Sequence, residues 1–320
     1  MLVPSEPTKR GLGRLVAGGV LYAIVAPLGA VAVPLALQLG LGGVRSRREI
    51  LWFGVAVAYG TWWLLQPGEL PDQTLRAAAL IATIMFGALA WRTNLTVIHR
   101  SLVSIGAAGA VLASSFLALG RTWAEVAWVV THRVGFIARL AIGGLWSAPS
   151  GEPLPQATRE VLRQMEGWIG SAATVFGDSY GAVIALQLLA GLALATAAYH
   201  AIAEHPHGYP LGRLRDFHFT EHIGWGTVAS LVVVLWPQLA VAKVAAFNVL
   251  GVTIALYALR GVAVFTFFLG LVGGRGFIIV LVAVATLFML PLVLAGAIII
   301  GVLDTGLNLR KRMSAMQTRG

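Results

Sequence analysis

Eight apolar runs fill most of the chain: residues 15–43, 50–65, 75–91, 102–119, 181–201, 223–241, 245–272 and 277–303. A run of about 20 apolar residues is long enough to cross the hydrocarbon core of a bilayer as a helix. Backbone polar groups in lipid must be satisfied internally, so such runs tolerate few other conformations. The composition agrees. Of 320 residues, 58% are hydrophobic and 11% charged, with a mean hydropathy of +0.82, whereas a water-soluble domain carries about 25% charged residues. The expected fold class is all-α: a polytopic transmembrane helical bundle of about 8 to 10 membrane helices, one per run or two where a run folds as a hairpin, plus one or two amphipathic interfacial helices.

Charge sets the orientation. Lys and Arg outnumber Asp and Glu 23 to 13, and basic residues in short loops stay on the cytoplasmic side. The segments 45–48, 92–100, 213–215 and the turn 273–276 therefore read as cytoplasmic, and the acidic turn 68–72 as outside. The terminal basic clusters, Lys9, Arg10 and Arg14 and then Arg310, Lys311 and Arg312, would fall outside if the first and last runs each crossed once. The first run contains Pro27 and Pro34 and the last contains Pro291, so a hairpin of two short helices is expected at 12–43. For 277–303 a hairpin competes with a single kinked helix. Both termini are then cytoplasmic. No small-residue cleavage site is followed by a soluble mature chain, so the first run is read as retained.

This divides the chain into N-terminal membrane helices (1–120: the hairpin 12–43, then three spans), an extracytoplasmic amphipathic region (121–178), C-terminal membrane helices (179–309) and a basic tail (310–320). In the second region charges of both signs appear with Trp123, Trp128, Trp146 and Trp168. Over 156–176, Val161, Leu162, Met165, Trp168, Ile169, Ala172 and Val175 recur at helical spacing, while Arg159, Glu160, Arg163 and Glu166 lie off that face, which predicts an amphipathic helix at the headgroup layer. Residues 121–145 read as a second interfacial helix or a poorly formed span, and Arg133 and Arg139 favour the interface.

An ionisable group at bilayer depth costs at least about 2.5 kcal/mol and tends to be paired or functional. Arg260 is the outstanding case, well inside the run 245–272. It calls for a partner such as Asp178, Asp304 or an anionic ligand, unless its span begins near Pro237 and it snorkels to an interface. Asn248, Gln38 and Gln187 are polar groups within apolar runs, of the kind that join helices. Arg260, Asn248 and Asp304 are the candidate substrate-binding residues.

Several function classes are excluded by inventory. With no cysteine, disulfides, thiolate metal sites and cysteine nucleophiles drop out. No phosphate-binding G-x-x-x-x-G-K-[ST] loop occurs, and no basic block with interleaved aromatics suggests nucleic acid. No cofactor is implied, and the expected partners are the lipid bilayer and a membrane or cytoplasmic protein.

His200, His205, His207, His218 and His222 gather in the loop expected between two spans, and His218-Phe219-Thr220-Glu221-His222 fits the H-x-x-E-H pattern of zinc peptidases. On a helix His218 and His222 would share a face and hold Zn²⁺, with Glu221 as base. A catalytic site needs a third protein ligand, a glutamate downstream, and no glutamate follows Glu221. The competing reading is a polar loop whose histidines meet water and headgroups.

The stretch Tyr209-Pro210-Leu211-Gly212-Arg213-Leu214-Arg215-Asp216-Phe217-His218-Phe219 and the ending Gly301-Val302-Leu303-Asp304-Thr305-Gly306-Leu307-Asn308-Leu309-Arg310-Lys311-Arg312 resemble motifs of the YybS-like family of predicted bacterial membrane proteins. Pro210, Arg215, Phe217, Asp304 and Arg310 carry the resemblance, which spans roughly 150–312. It implies a multi-pass protein of the bacterial cytoplasmic membrane, not a reaction. The proline-marked return after the first span resembles the substrate-binding components of energy-coupling vitamin transporters. Two functions follow as expectations: a small-molecule binding or transport component, or a membrane-embedded interaction or assembly protein without a substrate. An enzymatic role is not expected.

Overall fold

A computed structural model of the chain describes residues 9–93, 95–146, 156–219, 222–271, 275–307 and 309–310. Among them no strand occurs, and the chain forms a helical membrane bundle. It divides into two compact units, Met1–Pro210 and Leu211–Gly320. Five helical segments among the described residues are long and apolar enough to span a bilayer: Leu70–Arg92, Val97–Ala118, Tyr180–Ile202, Lys243–Leu269 and Met289–Leu307. Three shorter apolar helices accompany them: Leu15–Val25, Gly29–Gly42 and Ile223–Leu235. Large apolar side chains such as Leu51, Trp62, Ile84 and Leu117 are exposed on helix surfaces, as a lipid-facing protein requires.

The N-terminal unit contains α1 (Lys9–Val25), α2 (Gly29–Gly42), α3 (Arg47–Leu65), α4 (Leu70–Arg92), α5 (Val97–Ala118), α6 (Trp123–Trp146), α7 (Gln156–Asp178) and α8 (Tyr180–Ile202). Local chemistry sets several boundaries. Pro27 lies between α1 and α2, and Ser46 with Glu49 forms a capping box at the start of α3, which satisfies two otherwise orphaned N–H groups. Gly120 takes a positive φ of 64° between α5 and α6, a conformation that glycine adopts without steric cost.

Helix α8 packs against α1, α2, α4 and α5. Against it the first run reverses direction. Gly18 faces Leu194, the Tyr22 hydroxyl donates to the Gln187 carbonyl (3.0 Å), and Gln187 Nε2 donates to the Val25 carbonyl at the end of α1 (2.8 Å). Then Gly191 meets the Ala30 carbonyl and Gly42 meets Tyr199. So α1 runs antiparallel to α8 and α2 parallel to it. Alanines 26, 30, 78, 79, 82 and 108 line the adjoining core with Tyr22, Trp63 and Leu188, and such small residues allow close helix approach without an interior water-driven force.

Helices α6 and α7 pack on each other. Of the apolar face expected on α7, only part is covered: Leu162 is buried and Met165 and Ile169 half-buried, joined by Ala173, whereas Val161, Trp168, Ala172 and Val175 stay exposed. The face is therefore two adjacent stripes, one packed and one open. Arg133 of α6 donates to Asp72 (3.0 and 2.9 Å) and to Glu69 (2.6 Å) at the start of α4, so the acidic turn and the amphipathic region meet at one end of this unit.

The C-terminal unit holds a 3-10 turn at Leu214–Asp216, α9 (His222–Leu235), a second 3-10 segment at Pro237–Ala242, α10 (Lys243–Leu271) and α11 (Arg275–Leu307). Helix α10 begins after the distorted segment at Pro237, so Arg260 lies past its middle and well inside it. Helix α11 consists of two helical segments joined across a kink at Met289 (φ −128°, ψ 35°). Its cause is Pro291, whose ring disfavours helical geometry just before it and removes a backbone donor. Residues 273 and 274 of the turn expected at 273–276, and residues 311–320 of the basic tail, lie outside the described residues.

Candidate functional site

The candidate site is built where α10 and α11 touch. An added Cβ at Gly261 would sit inside the Ala297 carbonyl, and one at Gly301 inside the Tyr257 carbonyl. Glycine at both positions thus lets the two backbones run in contact, antiparallel, and this brings Arg260 beside Asp304. Both are buried, at 6% and 1% exposure.

The Arg260 guanidinium donates through Nε to Asp304 Oδ2 (2.8 Å) and through Nη2 to the Asp304 carbonyl (3.1 Å). Arg310 donates through Nη2 to the same Oδ2 (2.9 Å) and through Nη1 to the carbonyl of Arg215 (2.9 Å). One carboxylate therefore serves two guanidinium groups, and the second of them ties down the turn after Leu211. That turn returns the favour through its aromatic residues. Phe217 and Phe219 are both buried; two apart in an extended segment, they point the same way. The Phe219 ring lies 5.2 Å from Arg260 Cζ and packs edge-on against Tyr257 (5.2 Å) and Phe217 (6.2 Å). An arginine over an aromatic face is attracted by the ring quadrupole.

Of the residues singled out from sequence, Arg260, Asp304, Arg310, the Arg215 carbonyl and Phe217 converge here. Asn248 does not join them: it stands on α10 three to four turns from Arg260, about 18 Å along the axis at 1.5 Å per residue, and donates to the Val244 carbonyl. Pro210 belongs to the N-terminal unit and is exposed. His218 is exposed and its Nδ1 pairs with the Asp216 carbonyl (2.9 Å). It precedes α9, which begins at His222, so the two histidines are not a turn apart on one helix as the zinc reading supposes. Glu221 and the His222 side chain lie outside the described residues. Among the described residues no group of three or more His, Asp or Glu is placed to hold a metal ion. His200, expected in the loop, is in the last turn of α8.

Sequence reasoning missed Phe219, Tyr257, Gly261 and Gly301 as parts of the site; a glycine directly after a mid-helix arginine was the available signal. It also missed Glu49, whose carboxylate accepts N–H groups from Arg45 (2.7 Å), Ser46 (3.0 Å) and Glu204 (2.8 Å). The signal there was the Ser-x-x-Glu spacing just ahead of an apolar run. Those backbone donors, Ser46, Arg45 and Glu204 in that order, hold the Glu49 carboxyl down to about 2.

Fold and site together define a multi-pass α-helical membrane protein. Residues 158–305 match the family described as "Predicted membrane protein (DUF2232)", a little under half of the chain, from within α7 to just past Asp304. No curated protein and no solved structure matches the chain. The family match speaks for a membrane protein of unknown function; neither the YybS-like naming nor the likeness to transporter components follows from it.

Proposed function

We propose that the protein is a membrane-embedded interaction or assembly protein without an enzymatic role, held in the bacterial cytoplasmic membrane with both termini inside. One observation carries the reading. Arg260, the residue a substrate site in this unit would need free, is spent on Asp304, shared with Arg310, and sealed between helices packed backbone to backbone at Gly261 and Gly301. Binding energy in that cluster joins α10, α11 and the turn before α9, and its chemistry is that of a structural ion pair rather than a ligand cradle.

The surface offered to a partner is the open stripe of α7, Val161, Trp168 and Val175, with Trp168 73% exposed. Because the chain has no cysteine, single cysteines can be placed at these three positions and at Arg159 and Arg163 on the polar flank, then tagged in cells with a photoactivatable maleimide. The reading predicts one adduct of defined mass at 161, 168 and 175 and none at 159 and 163. Absence of a protein adduct at all five overturns it.

A second reading, a small-molecule binding or transport component of the kind that supplies substrate to energy-coupling transporters, is favoured by the reversal of α1 and α2 against α8. It predicts that the reconstituted protein gains thermal stability from a specific solute.

A further inference from the structure

Arg100 lies in the first full turn of α5 and is 5% exposed. Its guanidinium carbon stands 4.5 Å from the centre of the Phe86 ring. Its Nε is buried with no hydrogen-bond partner, and among the described residues no carboxylate pairs with it. This contrasts with Arg260, for which the fold supplies Asp304. A guanidinium stays charged at any accessible pH, and a buried charge without a counter-charge is strongly unfavourable. The aromatic ring offsets part of the deficit through one face of the guanidinium; the Nε–H is left without an acceptor.

The surroundings are donors as well. A long helix starts here, so the N–H groups of Val97, Ile98 and His99 have no intrahelical acceptor and the dipole favours negative charge. His99 accepts or shares a proton with Thr96 Oγ1 through Nδ1 (2.6 Å), and its Nε2 is buried and unpartnered. Arg100 Nη1 approaches the loop after α8 at Gly208, and His200 is near enough to feel its charge. Of the acids at this end of the unit, Glu49 has its oxygens engaged by the backbone N–H groups of Arg45, Ser46 and Glu204, and Glu204, exposed in the loop after α8, forms no ion pair with Arg100.

We infer that Arg100, with the amino end of α5, binds a phosphate-type oxyanion that completes the N-terminal unit. Guanidinium and helix amino end are the pair that recognises tetrahedral oxyanions by charge-assisted hydrogen bonds. The group can be the headgroup of an anionic phospholipid or a free phosphate compound, and the same chemistry serves both.

The test uses the full chain purified in uncharged detergent and stripped of lipid. Inorganic phosphate probes the free source. Nanodiscs of phosphatidylcholine, with and without phosphatidylglycerol, probe the lipid source. Readouts are the thermal midpoint and adducts counted by native mass spectrometry. Wild type should be stabilised by phosphate, by phosphatidylglycerol, or by both, and Arg100→Gln should bind at least about tenfold more weakly to whichever acts. Arg92→Gln, an exposed basic residue at the end of α4, should respond as wild type. If Arg100→Gln does not fold, Arg100→Lys retains a point charge without the fork and should lose affinity several-fold. The proposal is overturned if wild type responds to neither probe, if the Arg100 variant that folds responds as wild type, or if Arg92→Gln loses as much as it does.

Discussion

A carboxylate that accepts three backbone N–H groups, as Glu49 does, is a stability element whose contribution depends on pH. Its folded value of about 2 lies below the ordinary 4.5, so the unfolded chain binds the proton more tightly. The contribution is fully present above pH 4.5, falls as pH drops through that window and is gone near pH 2. Glu49→Gln should therefore be less stable than wild type at neutral pH, with the gap closing between pH 4.5 and 2; a gap that persists at pH 2 would show that the residue acts through packing. The same residue shows why a sequence can conceal a polar anchor. Ser46 and Glu49 announce a helix start, but the third donor, the N–H of Glu204, comes from 155 positions away, and no local spacing encodes it.

Helix pairs in this molecule depend on residues without side chains. Gly261 and Gly301 let α10 and α11 meet at backbone distance, which in turn sets Arg260 against Asp304. Gly301→Leu should force the helices apart, costing about 1–3 kcal/mol as overpacking typically does, and should weaken the ion pair with it. Thermal unfolding in detergent measures the loss, and an unchanged midpoint would mean that the contact is loose. Apolar periodicity made the existence of these helices legible, along with the amphipathic character of α7. What it could not supply was which flank of α7 would be covered: Trp168 and Ile169 are equally apolar, and only the placement of α6 leaves one exposed and the other half-buried. The break in α11 at Met289 was legible in Pro291.

Across the whole chain, hydrophobic runs and their flanking charges encode a multi-pass protein, and the family match over 158–305 agrees. Sidedness is the prediction that belongs to this scale. In the N-terminal unit the acidic turn meets α6 through Arg133, Glu69 and Asp72, and the loop bearing His207 lies beyond the other end of α8. In the cysteine-free background, Glu69→Cys and Gln164→Cys in intact cells should react with a membrane-impermeant maleimide, and His207→Cys only after permeabilisation. Labelling of His207→Cys in intact cells would reverse the orientation. The candidate site was half legible at this scale: Arg260 stood out because a charge in a long apolar run is costly, but choosing Asp304 among its possible partners required the antiparallel register of α10 and α11.

On the proposed reading, buried charges are consumed in holding the C-terminal unit together. A double-mutant cycle on Arg260→Met and Asp304→Leu, followed by reversible unfolding, tests that directly. Asp304→Leu strands two guanidinium groups and should cost about 3–5 kcal/mol, Arg260→Met leaves the carboxylate its Arg310 partner and should cost less, and the double change, which removes the most buried pair, should recover part of the Asp304→Leu loss. Single changes that are neutral, or losses that simply add, would contradict it and return Arg260 to the role of a free binding group.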